Sequence, residues 1–407
     1  MSRSAAYNAI EAILNSLKTE LGDDLLAVYL YGSLSDGTYQ EDQSNVNLIA
    51  VVESRASIHR VRKALQEECW PRYGDVLKHA PLVATPQTLA RHLALNPLLL
   101  AHFSRAGQLL CGDHVPLNDD VATSEGELLA NAAAQATLAT AALAPSLLPA
   151  KEAQETLSSL RSLARRLFGW PVDVDESSAV LAGRVIGHLR KRIIEESLDD
   201  WVDQPTPNAP PLIDDLRAIY ERDYHLLLVM PDLVPVELAR RIASTDWAQV
   251  ADRVTDQYRG LWVTTPSLLR LIVTYEDSAS YLVDSYHHAW GADPLADMQI
   301  PLAKALRGLA RLPSGLEVVD LPHAYVIAED ADLSMLIHDF QNKLLNIQLR
   351  SELLCRTLNI PATTPGTPLP EQDAPATVRI DAILEHLHWW ADHYATLVQH
   401  NNAGPEQ

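Results

Sequence analysis

Two apolar runs separated by a glycine-containing loop place the strongest constraint on the fold of this chain. The first run, LLAVYLY, covers residues 25–31 and is followed by Gly32, and the second, VNLIAVV, covers residues 46–52. Both runs are short and rich in β-branched, aromatic and aliphatic residues, so they predict buried strands joined by a turn. The amphipathic pattern of residues 1–20 predicts a helix before the first strand. The chain is therefore expected to begin with a domain that contains both helices and strands.

Helical and strand patterns alternate up to about residue 120. Helical spacing returns over residues 57–69, and the segment APLVAT, residues 80–85, predicts a third strand. Residues 86–107 predict a helix that breaks at Asn96-Pro97, because a proline disfavours helical backbone at the residue before it. This alternation favours an α/β domain over residues 1–122.

The loop after the first predicted strand has residues suited to binding phosphate. Gly32 allows a phosphate to approach the backbone closely, and the hydroxyl and N–H of Ser33 can bind phosphate oxygens. Asn45 and Asn47 then alternate with apolar residues, so both amides project from one face of the second strand. This order of strand, Gly-Ser, gap and alternating polar strand resembles the nucleotidyltransferase superfamily, especially its kanamycin and streptomycin adenylyltransferase branch. Residues 103–113 resemble the helix-to-loop ending of that family, and the resemblance covers residues 5–120.

The resemblance implies a Mg²⁺ ion held by two aspartates of an Asp-x-Asp motif, with a third carboxylate on a later strand. The matching positions are Asn45 and Asn47, which offer neutral carbonyl oxygens, whereas Mg²⁺ prefers charged oxygen ligands. The predicted third strand carries no acid, and Asp36 and Asp42 in the loop form no acid-x-acid pair. The sequence therefore predicts a degenerate metal site.

Two further interpretations of this loop remain open. The segment GSLSDG, residues 32–37, also has the composition of an ordinary turn after a strand. The competing enzyme interpretation is an active adenylyltransferase that acts on a small hydroxyl-bearing substrate or a protein side chain. Gly32 and Ser33 are the predicted nucleotide contacts, and Mg²⁺ and ATP are expected as cofactors only if the site is active.

Beyond residue 123 the apolar spacing is close to the helical period. It predicts a helical middle region over residues 123–325, and no internal repeat is apparent. The expected fold class is therefore α+β: a small mixed-sheet domain followed by a mostly helical region that ends in a coiled-coil-type hairpin.

Two heptad patterns predict the C-terminal hairpin. Apolar residues at alternating steps of four and three form one seam over residues 333–358 and a second over residues 380–398. A loop rich in Pro and Thr, residues 360–377, joins the two helices. A pair of such hairpins can close a four-helix bundle, so residues 326–402 predict a homodimer.

His338, Asp339 and Asn342 lie in the first heptad helix, with Asn342 one turn from His338 on the same face. The segment HDFQNKLLNI, residues 338–347, resembles the phosphoacceptor box of sensor histidine kinases and sporulation-type histidine phosphotransferases. The resemblance implies that His338 accepts a phosphoryl group, that Asp339 orients its imidazole and that Asn342 assists, with a response regulator or a kinase as partner. No glycine-rich ATP-binding lid follows, so the phosphoryl group is expected to come from elsewhere. A solvated histidine without a role is the alternative.

Composition excludes some classes of function. The chain has 32 Lys and Arg against 53 Asp and Glu, a net charge of −21, which excludes duplex-DNA binding through a broad basic face. The three cysteines form no CxxC motif, which fits a reducing cytoplasm. No signal peptide is expected, and the uncharged residues 128–150 contain Asn, Gln and two prolines, so no membrane partner is expected. A regulatory or signalling role is preferred, and a non-catalytic dimeric scaffold is the third alternative.

Overall fold

The computed structural model divides into two compact units. It describes residues 2–37, 39, 41, 44–115, 124–144, 150–168, 176–198, 216–222, 225–231, 235–245, 260–275, 287–298, 302–358 and 362–402. The first unit combines Met1–Ala122 with Leu309–Gln407, and the second is Thr123–Gly308. Residues 326–402, predicted as a separate hairpin domain, therefore belong to the same compact unit as residues 1–122.

A four-stranded mixed sheet forms the centre of the first unit. Its strands are β1 (Leu25–Tyr31), β2 (Asn47–Val52), β3 (Leu82–Ala84) and β4 (Gln108–Gly112), in the order β3-β2-β1-β4. β1 is antiparallel to both β2 and β4, and β2 is parallel to β3. The strands predicted near residues 25–31, 46–52 and 80–85 are confirmed.

Helices cover both faces of this sheet. Those before and between its strands are α1 (Arg3–Leu21), α2 (Ile58–Ala64), α3 (Trp70–Leu77), α4 (Pro86–Ala94) and α5 (Pro97–Ala106). Val28 and Leu30 of β1 pack in the core that includes α1, whereas Ala27 and Tyr29 pack in the core that includes α4 and α5. Because both faces of β1 are buried, its sequence is apolar throughout instead of alternating with polar residues.

A second four-stranded sheet lies in the second unit, where the sequence predicts helices. Its strands are β5 (Ala218–Arg222), β6 (His225–Val229), β7 (Gly260–Thr264) and β8 (His287–Gly291), in the order β7-β6-β5-β8. The helices described in this unit include α6 (Glu125–Ala139), α7 (Ala150–Phe168), α8 (Ser178–Glu195), α9 (Pro235–Ser244) and α10 (Pro266–Tyr275). These strands correct the expectation that residues 123–325 are helical. Each strand has five residues, and an apolar pattern this short does not distinguish a strand from a helix.

The two sheets have the same topology. In both, the first strand is antiparallel to the second and the fourth, and the second is parallel to the third. The register between the first and fourth strands shifts at the same place, after Val28 in β1 and after Ile219 in β5. Each fourth strand ends in a glycine with positive φ, Gly112 or Gly291. The chain therefore contains a structural repeat, contrary to the expectation from sequence.

Short sequence matches accompany this repeat. Ala-Val-Tyr at residues 27–29 corresponds to Ala-Ile-Tyr at residues 218–220, and Val-Ala-Thr-Pro at residues 83–86 corresponds to Val-Thr-Thr-Pro at residues 263–266. The two copies differ in one connection. Residues 32–46 join β1 to β2, whereas only residues 223–224 separate β5 from β6. The second copy therefore has no counterpart of the Gly-Ser loop.

The helices after the second sheet end in a hairpin. They are α11 (Leu302–Gly315), α12 (Leu321–Ile327), α13 (Leu333–Leu358) and α14 (Ala376–Asn402). The predicted seams are buried within this single chain at Ile337, Phe340, Leu344, Ile347, Ile380, Leu384, Leu387, Ala391 and Tyr394. The seam residues that were expected to join two hairpins are thus already buried inside one chain. The homodimer stays a prediction, and its interface would have to use another surface.

The uncharged segment at residues 128–150 contains most of α6, which is packed in the core of the second unit. Leu129, Ala130, Ala132, Ala133 and Ala136 of α6 are all buried there. Throughout the described ranges, no helix combines the length and the apolar character needed to span a bilayer.

Candidate functional site

Gly32 directly follows β1 and lies against Asn47, the first residue of β2. Its φ of +86° lies in the region that favours glycine, and a Cβ added there would lie 2.5 Å from Nδ2 of Asn47. The carbonyl oxygen of Gly32 accepts hydrogen bonds from the N–H groups of Ser35 and Asp36, both at 3.1 Å. The Gly-Ser loop is therefore folded as a turn against β2, with Ser33 half-buried in it.

The imidazole of His102 in α5 is the hydrogen-bond acceptor of the Gly32 N–H group. The Gly32 N–H donates to Nε2 of His102 at 3.1 Å, and the imidazole is 6% exposed. Because Nε2 accepts this hydrogen bond, it carries no proton itself. The N–H of Gly32, the residue before the predicted phosphate-binding Ser33, is therefore already bound to a side chain.

Asn45 and Asn47 interact with each other. Nδ2 of Asn47 donates to Oδ1 of Asn45 at 3.3 Å, and both residues are half-buried. The hydrogen bond uses one of the two amide oxygens as its acceptor. Asn45 and Asn47 occupy the positions that the resemblance assigns to Mg²⁺ ligands, and neither carries a negative charge. Of their two amide oxygens, only that of Asn47 is not used in this hydrogen bond. This donor set does not fit a Mg²⁺ ion, which prefers several anionic or strongly polar oxygen ligands in octahedral geometry.

No third carboxylate completes a metal site in the described structure. The whole of β3 is apolar and buried, so it cannot supply the acid that the resemblance implies. Asp36 is half-buried in the loop, and Asp42 lies outside the described residues. Among the described residues, no group of three or more His, Cys, Asp and Glu side chains could hold a metal ion.

Three polar residues near the loop were not predicted as site residues. His102 and Arg105 lie one turn apart at the end of α5, and Gln108 begins β4 beside β1. Nη2 of Arg105 is 3.4 Å from Nδ1 of His102, and Nε2 of Gln108 donates to the carbonyl oxygen of Ser35 at 3.0 Å. Arg105 is exposed, so this cation is accessible to an anion beside the loop. The family resemblance includes residues 103–113, which contain Arg105 and Gln108 but not His102.

The predicted phosphoacceptor residues lie on the outer face of α13. His338, Asp339 and Asn342 are all exposed. The carboxylate of Asp339 forms an ion pair with Nζ of Lys343 at 2.8 Å, and Lys343 also covers the ring of Phe340 at 4.2 Å. His338 and Asn342 therefore share an accessible face as expected, whereas the described contact of Asp339 is with Lys343.

A second polar cluster connects α4 to the C-terminal helices of the first unit. Glu317, which is 3% exposed, contacts Arg91 of α4 and accepts a hydrogen bond at 3.1 Å from Nδ1 of His388 in α14. Asp392 contacts the other nitrogen of His388 at 3.1 Å. These carboxylates, Asp392 first, raise the pKa of His388 above its usual value. The burial and mutual pairing of these groups indicate a structural ion cluster.

Comparison with known proteins gives one relevant match. No family model matches this chain, and no solved structure matches it. A protein of Methanocaldococcus jannaschii, named "Putative protein adenylyltransferase", is 29% identical over 103 residues, which are 24% of this chain and 67% of that protein. This chain contains a nucleotidyltransferase-like segment. The name of this relative is consistent with the nucleotidyltransferase resemblance, and the match provides no support for the histidine-kinase resemblance.

Proposed function

We propose that this protein is a non-catalytic, nucleotidyltransferase-like protein with a regulatory role. The observation that carries this proposal is the hydrogen bond between Asn45 and Asn47, at the two positions where a nucleotidyltransferase requires metal-binding acids. Aspartates at both positions would supply two negative charges to a divalent cation, and the asparagines supply none. The fold that presents the nucleotide is retained, while the chemistry that transfers it is lost.

The second support is the hydrogen bonding of the Gly32 backbone, which directly precedes the predicted phosphate-binding Ser33. The N–H of Gly32 donates to His102, so a phosphate oxygen would have to displace a nearly buried imidazole to reach it. Arg105 supplies one exposed positive charge near this position. Any nucleotide binding therefore depends on Arg105 and Ser33 without a bridging metal ion, and we expect it to be weak and insensitive to Mg²⁺.

Calorimetric titration with ATP tests this proposal. The wild-type protein is expected to give the same weak or absent binding with and without Mg²⁺, because its metal positions are neutral. The double variant Asn45→Asp/Asn47→Asp is expected to gain Mg²⁺-dependent ATP binding by about tenfold or more, since paired carboxylates are the ligands that Mg²⁺ prefers. Asn8→Asp/Asn346→Asp is the matched control, because Asn8 and Asn346 are exposed residues outside this site. Tight Mg²⁺-dependent binding and AMP transfer by the wild type would contradict the proposal.

The name of the archaeal relative raises adenylyl transfer to a protein as the alternative. This alternative would require Mg²⁺ to be held without the two aspartates of the motif. Adenylyl transfer would be favoured over our proposal if the wild-type chain transferred labelled AMP from ATP to a protein and the Asn47→Ala variant did not.

Phosphotransfer through His338 is a second candidate function. The observation that favours it is the exposure of His338 together with Asn342, one turn apart on α13. Incubation with labelled acetyl phosphate or a phosphorylated receiver domain is expected to label the wild type and not His338→Ala. His386→Ala is the matched control, because His386 is also a partly solvated helical histidine, bonded to the carbonyl oxygen of Thr367. Equal labelling of wild type and His338→Ala would remove this candidate.

A further inference from the structure

His388 of α14 lies between two carboxylates that come from different parts of the first unit. Its Nδ1 is 3.1 Å from Oε1 of Glu317, which lies between α11 and α12, and its Nε2 is 3.1 Å from Oδ2 of Asp392, one turn further along α14. An ionised carboxylate accepts hydrogen bonds and donates none. Both ring nitrogens of His388 must therefore donate, which requires the imidazole to be protonated and positively charged.

Arg91 of α4 closes these contacts into a ring. Its guanidinium donates to Glu317 through Nη2 and to Asp392 through Nη1, so positive and negative groups alternate around four side chains. Arg55, which follows β2, has its Nη1 3.8 Å from Oε1 of Glu317. Together with the two carboxylates, these two arginines are the charged side chains that face His388 in the described structure. The ring thereby connects α14 to α4 and to the segment before α12.

The neighbours of His388 act on its protonation in opposite directions. The hydrogen bond to Asp392 and then that to Glu317 raise the pKa of His388, whereas burial and the charge of Arg55 lower it. Nη2 of Arg91 also lies 3.3 Å from Nδ1 of His388, but the carboxylates prevail and the pKa lies above its usual value. Because the pKa is raised in the folded chain, the ring stabilises the fold at low pH. This contribution is lost as the pH rises through the raised pKa.

Loss of the proton weakens the attachment of α14. A neutral imidazole has one N–H group, so the other ring nitrogen then directs a lone pair at a carboxylate oxygen. Whichever nitrogen keeps the proton, His388 makes one hydrogen bond fewer, and the remaining one is no longer assisted by a charge on the ring. Glu317 is only 3% exposed, so water has little access to replace a contact that is lost on its side.

We infer that His388 is a pH-sensitive latch for α14: the protonated side chain holds the helix against α4 and Glu317, and the neutral side chain releases it. Leu384, one turn before His388, lines a small cavity together with Val52 and Ala84, the last residues of β2 and β3. Because these two strands are parallel, the cavity lies at their shared carboxyl end. Release of α14 exposes this cavity to solvent, so the latch controls access to it.

Hydrogen exchange of the full chain tests the latch. The amides of α14 over residues 384–394 are followed at about pH 6 and about pH 9, on either side of a raised histidine pKa, with rates corrected for the intrinsic effect of pH on exchange. Protection of this segment in the wild type is expected to fall by about tenfold or more at the higher pH, the effect of losing one charge-assisted hydrogen bond. The amides of α6, which lies in the second unit, should keep their protection and serve as the internal reference.

Two variants separate the latch from a general effect of pH on the fold. His388→Lys carries a positive charge at both pH values, so the protection of its α14 is expected to stay the same. His386→Gln is the matched control, because His386 lies on the same helix and is bonded to the carbonyl oxygen of Thr367 instead of to the ring. This variant should keep the pH dependence of the wild type. Equal protection of the wild type at both pH values, or the same loss of protection in His388→Lys, would overturn the inference.

Discussion

A fragment that comprises Met1–Ala122 is expected not to fold when it is produced without Leu309–Gln407. The two segments form one compact unit although they are separated by the whole of the second unit. Val318 is fully buried in the core on one face of the first sheet, and Val326 is fully buried in the core on the other. The C-terminal helices therefore complete both cores of the N-terminal sheet.

The size of this effect follows from burial. Full burial of one valine, leucine or isoleucine contributes about 1.5–3 kcal/mol, and a whole domain has a net stability of about 5–15 kcal/mol. Loss of a few such residues is enough to unfold the fragment. Polar contacts are lost as well, because Nε and Nη2 of Arg62 donate to the carbonyl oxygens of Tyr325 and Ala328 at 2.9 and 2.7 Å.

Circular dichroism during thermal unfolding measures this prediction. The fragment Met1–Ala122 should show no cooperative transition, and a fusion of Met1–Ala122 to Leu309–Gln407 through a flexible linker should restore one. Thr123–Gly308 is the control, because it is a continuous segment that forms a compact unit and should melt cooperatively by itself. A cooperative transition of the isolated Met1–Ala122 fragment near the temperature of the full chain would show that the C-terminal helices are dispensable.

The parts of the fold that were predicted from sequence have strong local signals. β1 and β2 are apolar runs that end at a glycine or a polar residue, and the break between α4 and α5 follows from Pro97, which lacks a backbone N–H. The second sheet has weaker signals. β8 has the sequence HHAWG and is partly exposed, so neither its composition nor its periodicity indicates a strand.

The candidate site was only partly predictable for a different reason. Gly32, Asn45 and Asn47 lie close together in sequence, and their spacing along two strands indicates their shared location. His102 reaches the N–H of Gly32 from 70 residues away, through the packing of α5 against the sheet. No local pattern at His102 reports that contact, because it depends on tertiary structure.

The repeat also explains why the residues that the resemblance assigns to a nucleotide occur beside only one of the two sheets. β1 and β5 correspond in register, but the connection after β5 is too short to contain the Gly-Ser loop and the polar positions before β2. The residue that begins β6 is His225, where β2 begins with Asn47. The second copy therefore retains the sheet and the glycine of its fourth strand, and any ligand contact in it would have to use other residues.

Gly112→Ala and Gly291→Ala are expected to be strongly and similarly destabilising. A Cβ at Gly112 would lie 1.9 Å from the carbonyl oxygen of Leu26, and one at Gly291 would lie 2.1 Å from the carbonyl oxygen of Arg217. Both obstacles are backbone atoms, one in β1 and the other in the residue just before β5, so a side-chain rotation cannot relieve them. The φ angles of +80° and +94° add backbone strain for any residue with a Cβ.

We expect each substitution to reduce the free energy of unfolding by about 3–5 kcal/mol, from overpacking and backbone strain together. This corresponds to a fall of roughly 6–20 °C in the melting temperature of the affected unit, measured by calorimetry of the full chain. Gly37→Ala separates the two causes, because Gly37 has φ +83° with nothing within 4 Å of its added Cβ. It should cost only the backbone strain, about 1–2 kcal/mol. If Gly291→Ala melted like the wild type while Gly112→Ala did not, the two glycines would not have the same role, because the steric contact with the first strand would then hold in only one copy.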